Sequence, residues 1–343
     1  MRSTLYGSCI LVALAVFTAT LFSKSTPSST PNAGLLLVVN KADRTLSIVD
    51  PEAGRQLAAV PVKGITGHEV AASSDGQSAW VPIYGNSGVG LPGTDGRTVT
   101  IIDLKSRAVA ASIDLGAPNR PHGAVFSPTD RRLYVTAELT RSIKVIDPIA
   151  RKVIDSIPTD APESHMLVIS SNGQRAYTSN VGAGTISAID VHNKKVLAVI
   201  PVSNTVQRIA ISSDNRLVFT ADQTKPQLAV IDTQTNAVKT RVPLPDVGFG
   251  MAPTYDGRHL LIAHPSSDSV SVLNLQSMKV EYAIHVPASP QEILIRPDDQ
   301  VAYVSCDQSK QVAVIDLRSA GVTKLIDVGA GADGLAWAPA AHQ

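Results

Sequence analysis

A motif of about 42 residues recurs along the chain and constrains its fold more than any other feature. In Arg132–Asp147, RLYVTAELTRSIKVID, an apolar run and a short polar turn are followed by a second apolar run that closes on Asp147. Six other segments share this pattern, and the seven closing residues are Asp50, Asp103, Asp147, Asp190, Asp232, Asn274 and Asp316. From Asp103 onward they lie 44, 43, 42, 42 and 42 residues apart, a period typical of one four-stranded blade per repeat. The sequence therefore predicts an all-β, seven-bladed β-propeller with four-stranded antiparallel blades.

The two ends of the repeat region indicate how the ring closes. The first repeat begins at Leu35 with the second strand of a blade, whereas Gly331–Ala338 has the pattern of an innermost strand with nothing after it. We therefore predict that the N- and C-terminal strands share one blade, and that the propeller spans residues 35–343. Closure of this kind leaves no free edge in the ring.

The first 34 residues lie outside the repeat. Arg2 precedes an apolar run, Cys9–Phe22, and a segment rich in Ser and Pro follows. This layout predicts a signal peptide or signal anchor over residues 1–24 and a linker over residues 25–34. The run is short for a membrane span, which needs roughly 20 residues. We expect a periplasmic or secreted protein, attached to a membrane only if the signal stays uncleaved as an anchor.

The composition of the chain limits the kinds of partner that it can bind. The formal net charge is +1 and aromatic residues make up 4% of the chain, so we expect no nucleic-acid partner. After signal cleavage only Cys306 would remain, which cannot form an internal disulfide. We expect a monomer held together by packing, with a small-molecule ligand or a protein segment as its partner.

Three features of the repeat carry a family resemblance: strands such as YVTAE, YTSN and YVSC, turns such as SPTD and SSDG, and closures of the VID type. With these motifs the chain resembles the YVTN family of seven-bladed propellers, a WD40-like repeat fold that includes YncE-like exported proteins. The resemblance covers roughly residues 35–340. It implies the fold but not one function, because related propellers serve as binding scaffolds, as lactonases or as parts of haem and copper enzymes.

One position near the start of each innermost strand holds polar residues in most blades, including three histidines. When these strands are aligned, the position holds His68, His122, His165, Gln207, Phe249, Gln291 and Asp333. Innermost strands line the central channel, and their starts share one mouth. The three histidines would therefore converge on a ligand or a metal, and three imidazoles with an open fourth position would suit zinc or copper. The alternative is that they solvate a wet channel mouth.

The one long insertion, Tyr84–Arg97, falls in a loop that opens on the same face. Long loops in otherwise regular repeats are frequently binding loops. Arg120, Asn180 and Glu292 lie near this level of the propeller. We predict the following ligand-binding set: His68, Glu69, Tyr84, His122, Glu138, Glu163, His165 and Arg208.

Three functions remain open at this point. The first is a non-enzymatic scaffold that binds a ligand or protein segment at the channel mouth. The second is a metal-dependent hydrolase, lactonase or lyase with Glu69, Glu138 or Glu163 as general base. The third is a redox accessory protein that holds a haem-like or copper cofactor.

The other sequence motifs that could indicate a function are either absent or have a structural role. The sequence has no G-x-S-x-G elbow, no phosphate-binding loop and no C-x-x-C-H haem attachment. The closing Asp recurs in nearly every repeat and is predicted to form turns. We expect His259 and His264 on a blade surface.

Overall fold

The computed structural model describes Met1 and residues 34–86 and 88–341, and in this part of the chain it confirms the seven-bladed propeller. Seven separate four-stranded antiparallel sheets form the blades. The strands are β1 (Leu35–Asn40), β2 (Thr45–Asp50), β3 (Arg55–Pro61) and β28 (Ala332–Ala338) in blade 1; β4 (Ala71–Ala72), β5 (Ser78–Gly85), β6 (Asp95–Asp103) and β7 (Ala108–Asp114) in blade 2; β8 (Pro121–Phe126), β9 (Leu133–Ala137), β10 (Ser142–Asp147) and β11 (Lys152–Pro158) in blade 3; β12 (Ser164–Ile169), β13 (Arg175–Asn180), β14 (Thr185–Asp190) and β15 (Lys195–Pro201) in blade 4; β16 (Ala210–Ile211), β17 (Leu217–Ala221), β18 (Gln227–Asp232) and β19 (Ala237–Pro243) in blade 5; β20 (Met251–Pro253), β21 (His259–His264), β22 (Ser269–Asn274) and β23 (Lys279–His285) in blade 6; β24 (Pro290–Ile295), β25 (Val301–Cys306), β26 (Gln311–Asp316) and β27 (Gly321–Asp327) in blade 7.

The predicted closure of the ring is confirmed. Strand β28 pairs antiparallel with β1, with Leu36 opposite Trp337 and Val38 opposite Leu335. Leu36, Val38 and Leu335 pack in one buried cluster with residues of blade 7. The C-terminal strand is therefore the innermost strand of the first blade.

The core lies between neighbouring blades. The middle strands are almost wholly buried, whereas outermost strands such as β11 alternate exposed and half-buried residues. Leu133 and Val135 of blade 3, for example, pack against Val99 and Ile101 of blade 2. Short β-branched runs of this kind fit a pleated surface that is covered on both faces.

The repeated aspartates have the predicted role in turns. In blade 3 the Asp147 carboxylate accepts hydrogen bonds from the backbone N–H groups of Ile149 and Ala150, at 2.8 and 2.9 Å. Asp103, Asp190, Asp232 and Asp316 accept equivalent bonds. Each carboxylate thereby organises the turn into the outermost strand.

Two details differ from expectation. A short 3₁₀ helix, Glu138–Thr140, interrupts the otherwise all-β pattern between β9 and β10. The surface placement of His264 is wrong, because its ring is fully buried and contacts the Ser271 hydroxyl at 2.7 Å. Strand alternation alone did not reveal that this side chain faces the interior.

No helix in the described part of the chain is long and apolar enough to cross a membrane. The predicted signal and the linker up to residue 33 lie outside the described residues, so both remain predictions.

Candidate ligand site at the channel mouth

The three aligned histidines meet at one mouth of the channel. His122 and His165 are the second residues of β8 and β12, while His68 precedes β4 and accepts a backbone hydrogen bond from Gly334 of β28 at 2.9 Å. The ring centroids of His68 and His122 lie 5.2 Å apart, and those of His122 and His165 lie 3.5 Å apart. The repeat therefore brings three imidazoles from consecutive blades into contact.

A buried hydrogen-bonded chain orients His165. Its Nδ1 lies 2.5 Å from Glu138 Oε1, and the Tyr84 hydroxyl donates to Glu138 Oε2 at 3.0 Å. A carboxylate accepts a hydrogen bond from Nδ1–H, and in the neutral imidazole of that tautomer the lone pair is on Nε2. The nearest polar contact of Nε2 is the Gln207 side-chain nitrogen, at 3.4 Å. Burial, reinforced by Glu138, raises the pKa of Tyr84, which keeps the phenol protonated as a donor.

The other two imidazoles are neutral. Burial lowers the pKa of His68 to about 4 and holds the pKa of His122 well below its usual value, with His165 adding to the effect. The Nδ1 atom of His122 is buried and has no hydrogen-bond partner among the described residues. The edge of Tyr84 approaches His122, with centroids 5.2 Å apart. Buried polar atoms are satisfied in most native structures, so this unpartnered nitrogen is an unusual feature of the channel mouth.

The rings do not fit a three-histidine metal site. His122 and His165 stack face to face at an interplanar angle of 29°, so their nitrogens do not point at one centre. Glu138 already occupies Nδ1 of His165. Within residues 34–86 and 88–341, no group of three or more His, Cys, Asp or Glu side chains is arranged to hold a metal ion. The described residues at this mouth therefore do not fit the zinc or copper that the sequence suggested.

A second group of charged residues crosses the channel beside the histidines. Arg208 contacts Glu69 at 2.5 Å, Asp333 at 2.6 Å and Glu292. We call these four residues the Arg208 cluster. They come from blades 5, 2, 1 and 7, so the ion pairs of Arg208 connect blades that are not adjacent in the ring. Lys41 reaches the other oxygen of Asp333 at 3.2 Å.

Burial makes the carboxyl groups of this cluster hard to ionise together. Burial raises the pKa of Glu69 to about 8, because the charge of Arg208 only partly offsets desolvation and Glu292 and Asp333 repel a further negative charge. Burial likewise raises the pKa of Glu292. Burial opposes ionisation of Asp333 as well, but Arg208 and Lys41 hold its pKa below the usual value. Burial therefore favours retention of a proton by the Glu69 carboxyl, and it shifts the neighbouring Glu292 in the same direction.

The long insertion lies against the same mouth. Arg120 donates from Nη2 to the Leu91 carbonyl at 2.6 Å and from Nε to Asp95 at 2.5 Å. Gly90 has φ +71°, and a Cβ there would lie 2.7 Å from a carboxylate oxygen of Glu163. Only glycine permits this close approach without strain. Residues of blades 3 and 4 thereby hold the described part of the insertion in place.

The predicted site residues fall into three places. His68, His122, His165, Tyr84 and Glu138 form the imidazole group, while Glu69 and Arg208 belong to the charged cluster. Glu163 lies apart, against Gly90 and Gly182. Asn180 is not at the mouth surface, because its amide bonds Thr185 and Ser187 inside blade 4.

Sequence reasoning left Lys41, Glu292 and Asp333 out of the binding set. The alignment contained a signal for two of them. Asp333 occupies the histidine position of its blade, and Glu292 follows that position by one residue, as Glu69 and Arg208 do. No such periodic signal marks Lys41.

Fold and site together define a seven-bladed propeller with a buried polar site at one channel mouth. The sequence profile of the family described as "Lactonase, 7-bladed beta-propeller" matches residues 68–241, just over half of the chain. The chain belongs to this family. The matched segment includes the Tyr84, Glu138 and His165 group. A search of curated protein sequences finds no significant match.

Solved structures share the architecture. Hydrazine synthase of Kuenenia stuttgartiensis aligns with a TM-score of 0.70 and 17% identity, over 86% of this chain and 99% of that chain. A functionally unknown protein from Desulfotomaculum acetoxidans aligns with a TM-score of 0.72 and 15% identity, over 90% and 99% of the two chains. At these identities the likeness extends to the fold alone.

Proposed function

We propose that the protein is a metal-independent lactonase that hydrolyses a small cyclic ester at the channel mouth. The observation that carries this proposal is the buried Glu138–His165 pair, in which the carboxylate holds Nδ1–H and leaves Nε2 as a base. A histidine oriented in this way is the usual general base for activating water. The family match supports lactone hydrolysis as the activity.

The reaction follows from the position of His165. A water beside Nε2 transfers a proton to the imidazole while its oxygen attacks the lactone carbonyl carbon. The tetrahedral intermediate collapses by breaking the ring C–O bond, and the imidazolium returns the proton to the leaving alkoxide. Glu138 stabilises the transient imidazolium, and Tyr84 holds Glu138 in place. The Gln207 amide, 3.4 Å from Nε2, is placed to donate to the substrate or the water.

The test is hydrolysis of a panel of lactones by the purified propeller. We expect turnover of at least one of δ-valerolactone, glucono-1,5-lactone and γ-butyrolactone, followed by acid release in weakly buffered indicator solution. Activity should survive treatment with a chelator and fall about 100-fold or more in His165→Asn. His259→Asn is the matched control, because that histidine lies in blade 6 beside Glu281. The proposal would be refuted if the wild-type protein hydrolysed every lactone no faster than buffer alone. Equal rates for His165→Asn and His259→Asn would refute it as well.

A non-catalytic binding scaffold is the second candidate, and one observation favours it. His122 Nδ1 is buried and unpartnered, and its ring belongs to a neutral aromatic group with His68 and Tyr84. Such a surface can hold a ligand without turning it over. Saturable binding of an unreacted lactone, lost equally in His122→Ala and His165→Ala, would support the scaffold over the enzyme.

We further propose that the protein is exported, as its YVTN-like repeat and N-terminal apolar run suggest. Fractionation of cells that express the full chain tests this. Recovery in the cytoplasm with residues 1–24 intact would contradict it.

A further inference from the structure

The channel has a cavity at the end opposite the histidines. Strand β12 runs from His165 at the mouth to Ile169 at its other end, and β24 runs from Gln291 to Ile295 in the same way. Four residues at about 3.3 Å each separate the two levels by about 13 Å. The cavity measures about 330 Å³ and is lined by residues of four consecutive blades, 4 to 7.

The lining of this cavity is apolar and uncharged. Its floor consists of Ile169, Ile211, Ala252, Ile293 and Ile295. Serine, threonine and asparagine side chains contribute the polar part of the rim, and none of the described lining residues carries a charge at neutral pH. Because moving an ion into such a site would leave its charge unpaired, the cavity favours a neutral occupant.

The rim is fixed by hydrogen bonds between neighbouring blades. Asn215 of blade 5 accepts from the Ser171 N–H at 2.8 Å and donates to the Ser171 hydroxyl at 2.7 Å. Asp299 of blade 7 accepts from the N–H groups of Tyr255 and Asp256 at 2.8 and 2.7 Å. The turns around the cavity are thus linked in pairs before any ligand arrives. A preformed site avoids much of the ordering cost of binding.

We propose that this cavity is a second binding site, for a small neutral apolar molecule with one or two rings. Its volume corresponds to roughly ten water molecules and lies near the lower end of ordinary ligand pockets. A folded partner could not enter it. Tyr255 is 57% exposed beside the cavity, and its ring can cover an aromatic ligand. This site is separate from the lactonase proposal and does not depend on it.

Indole is the probe, titrated calorimetrically into the full-length protein at several temperatures. We expect saturable binding at one site with a negative heat-capacity change, as burial of apolar surface produces. Ala252→Trp fills the cavity and should weaken binding at least 10-fold. Ala110→Trp introduces the same side chain at an exposed position of β7 and should bind as the wild type does.

Two further variants keep the result interpretable. Ala252→Leu is a smaller filler for use if the tryptophan variant fails to fold, and it should weaken indole binding at least threefold. His165→Asn should leave indole affinity unchanged, because that residue lies at the other end of the channel. The proposal is overturned if the wild type shows no saturable binding, if a folded Ala252 variant binds as tightly as the wild type, or if His165→Asn abolishes binding.

Discussion

Replacing Glu69 with Gln should reduce by more than half a pH dependence of stability that the Arg208 cluster creates. In the folded protein burial raises the pKa of Glu69 from 4.5 to about 8. The folded state then holds a proton that the unfolded chain releases above about pH 4.5. Folding is therefore favoured less as the pH rises from about 4.5 to 8, and the change stops above pH 8. Glutamine keeps the shape of the protonated acid and cannot ionise.

The loss of stability caused by the buried carboxyl groups can be measured separately from that of the histidines between pH 6.5 and 8. His68 and His122 have lowered pKa values, so their contribution to stability rises with pH only up to about 6.5. Above that pH the carboxyl groups of the cluster dominate. One proton corresponds to about 1.4 kcal/mol per pH unit, so the wild type should lose about 2 kcal/mol across this window. Glu292, whose pKa is also raised by burial, acts in the same direction.

Urea unfolding at half-unit steps from pH 6.5 to 8.5 measures this directly. Glu69→Gln should reduce the slope to less than half and should equal or exceed the wild type in stability at pH 8.5. Glu163→Gln is the matched control, because Glu163 lies against Gly90 outside the cluster. A flat wild-type profile, or an unchanged slope in Glu69→Gln, would show that Glu69 does not hold the proton.

Three further predictions concern folding and the site. Arg208→Met leaves the buried carboxyl groups of Glu69, Glu292 and Asp333 around a neutral side chain and should destabilise the fold by about 3–5 kcal/mol in urea. Arg216→Met at an exposed turn should change stability by less than about 0.5 kcal/mol. Similar losses in the two variants would contradict the buried ion-pair role of Arg208. Tyr84→Phe removes the hydroxyl that donates to Glu138 and should lower stability by about 2 kcal/mol and reduce lactone turnover more than lactone binding. Deleting residues 331–343 removes β28 and should cost several kcal/mol by exposing the edge of β1; a truncated protein that melts like the full chain would refute the closure.

The fold was predictable because it is repeated. Every blade repeats the same order of strands and turns, and six of the seven close on an aspartate, so single ambiguous segments did not matter. The incomplete first repeat and the unpaired strand at Ala332–Ala338 identified the closure, which the pairing of β28 with β1 confirms. His264 shows the limit of this reasoning, since a repeat pattern places a residue in a strand but does not say which polar side chains are satisfied inside it.

The candidate site was predictable only in its location. Alignment of the inner strands placed three histidines at one mouth, but the stacking of His122 on His165 depends on side-chain rotamers that sequence does not specify. The reach of Arg208 across the channel to Asp333 depends on the channel radius. In three blades a glycine at the equivalent position allows the neighbouring inner strand to approach closely: a Cβ on Gly250 would lie 2.0 Å from the Gln291 carbonyl oxygen. Such contacts arise from the assembled ring and not from any single repeat.

The central claim is that Glu138 and His165 act as one catalytic unit, and a double-mutant cycle on lactone hydrolysis tests it most directly. The measurement is kcat/KM for the wild type, Glu138→Gln, His165→Asn and the double variant, with a lactone that the wild type hydrolyses. Each single change should lower kcat/KM by about 100-fold or more. The double variant should be no slower than His165→Asn, because once one member of a catalytic unit is removed, removing the other costs no further activity. Independent, multiplicative losses, or full activity in either single variant, would contradict the account.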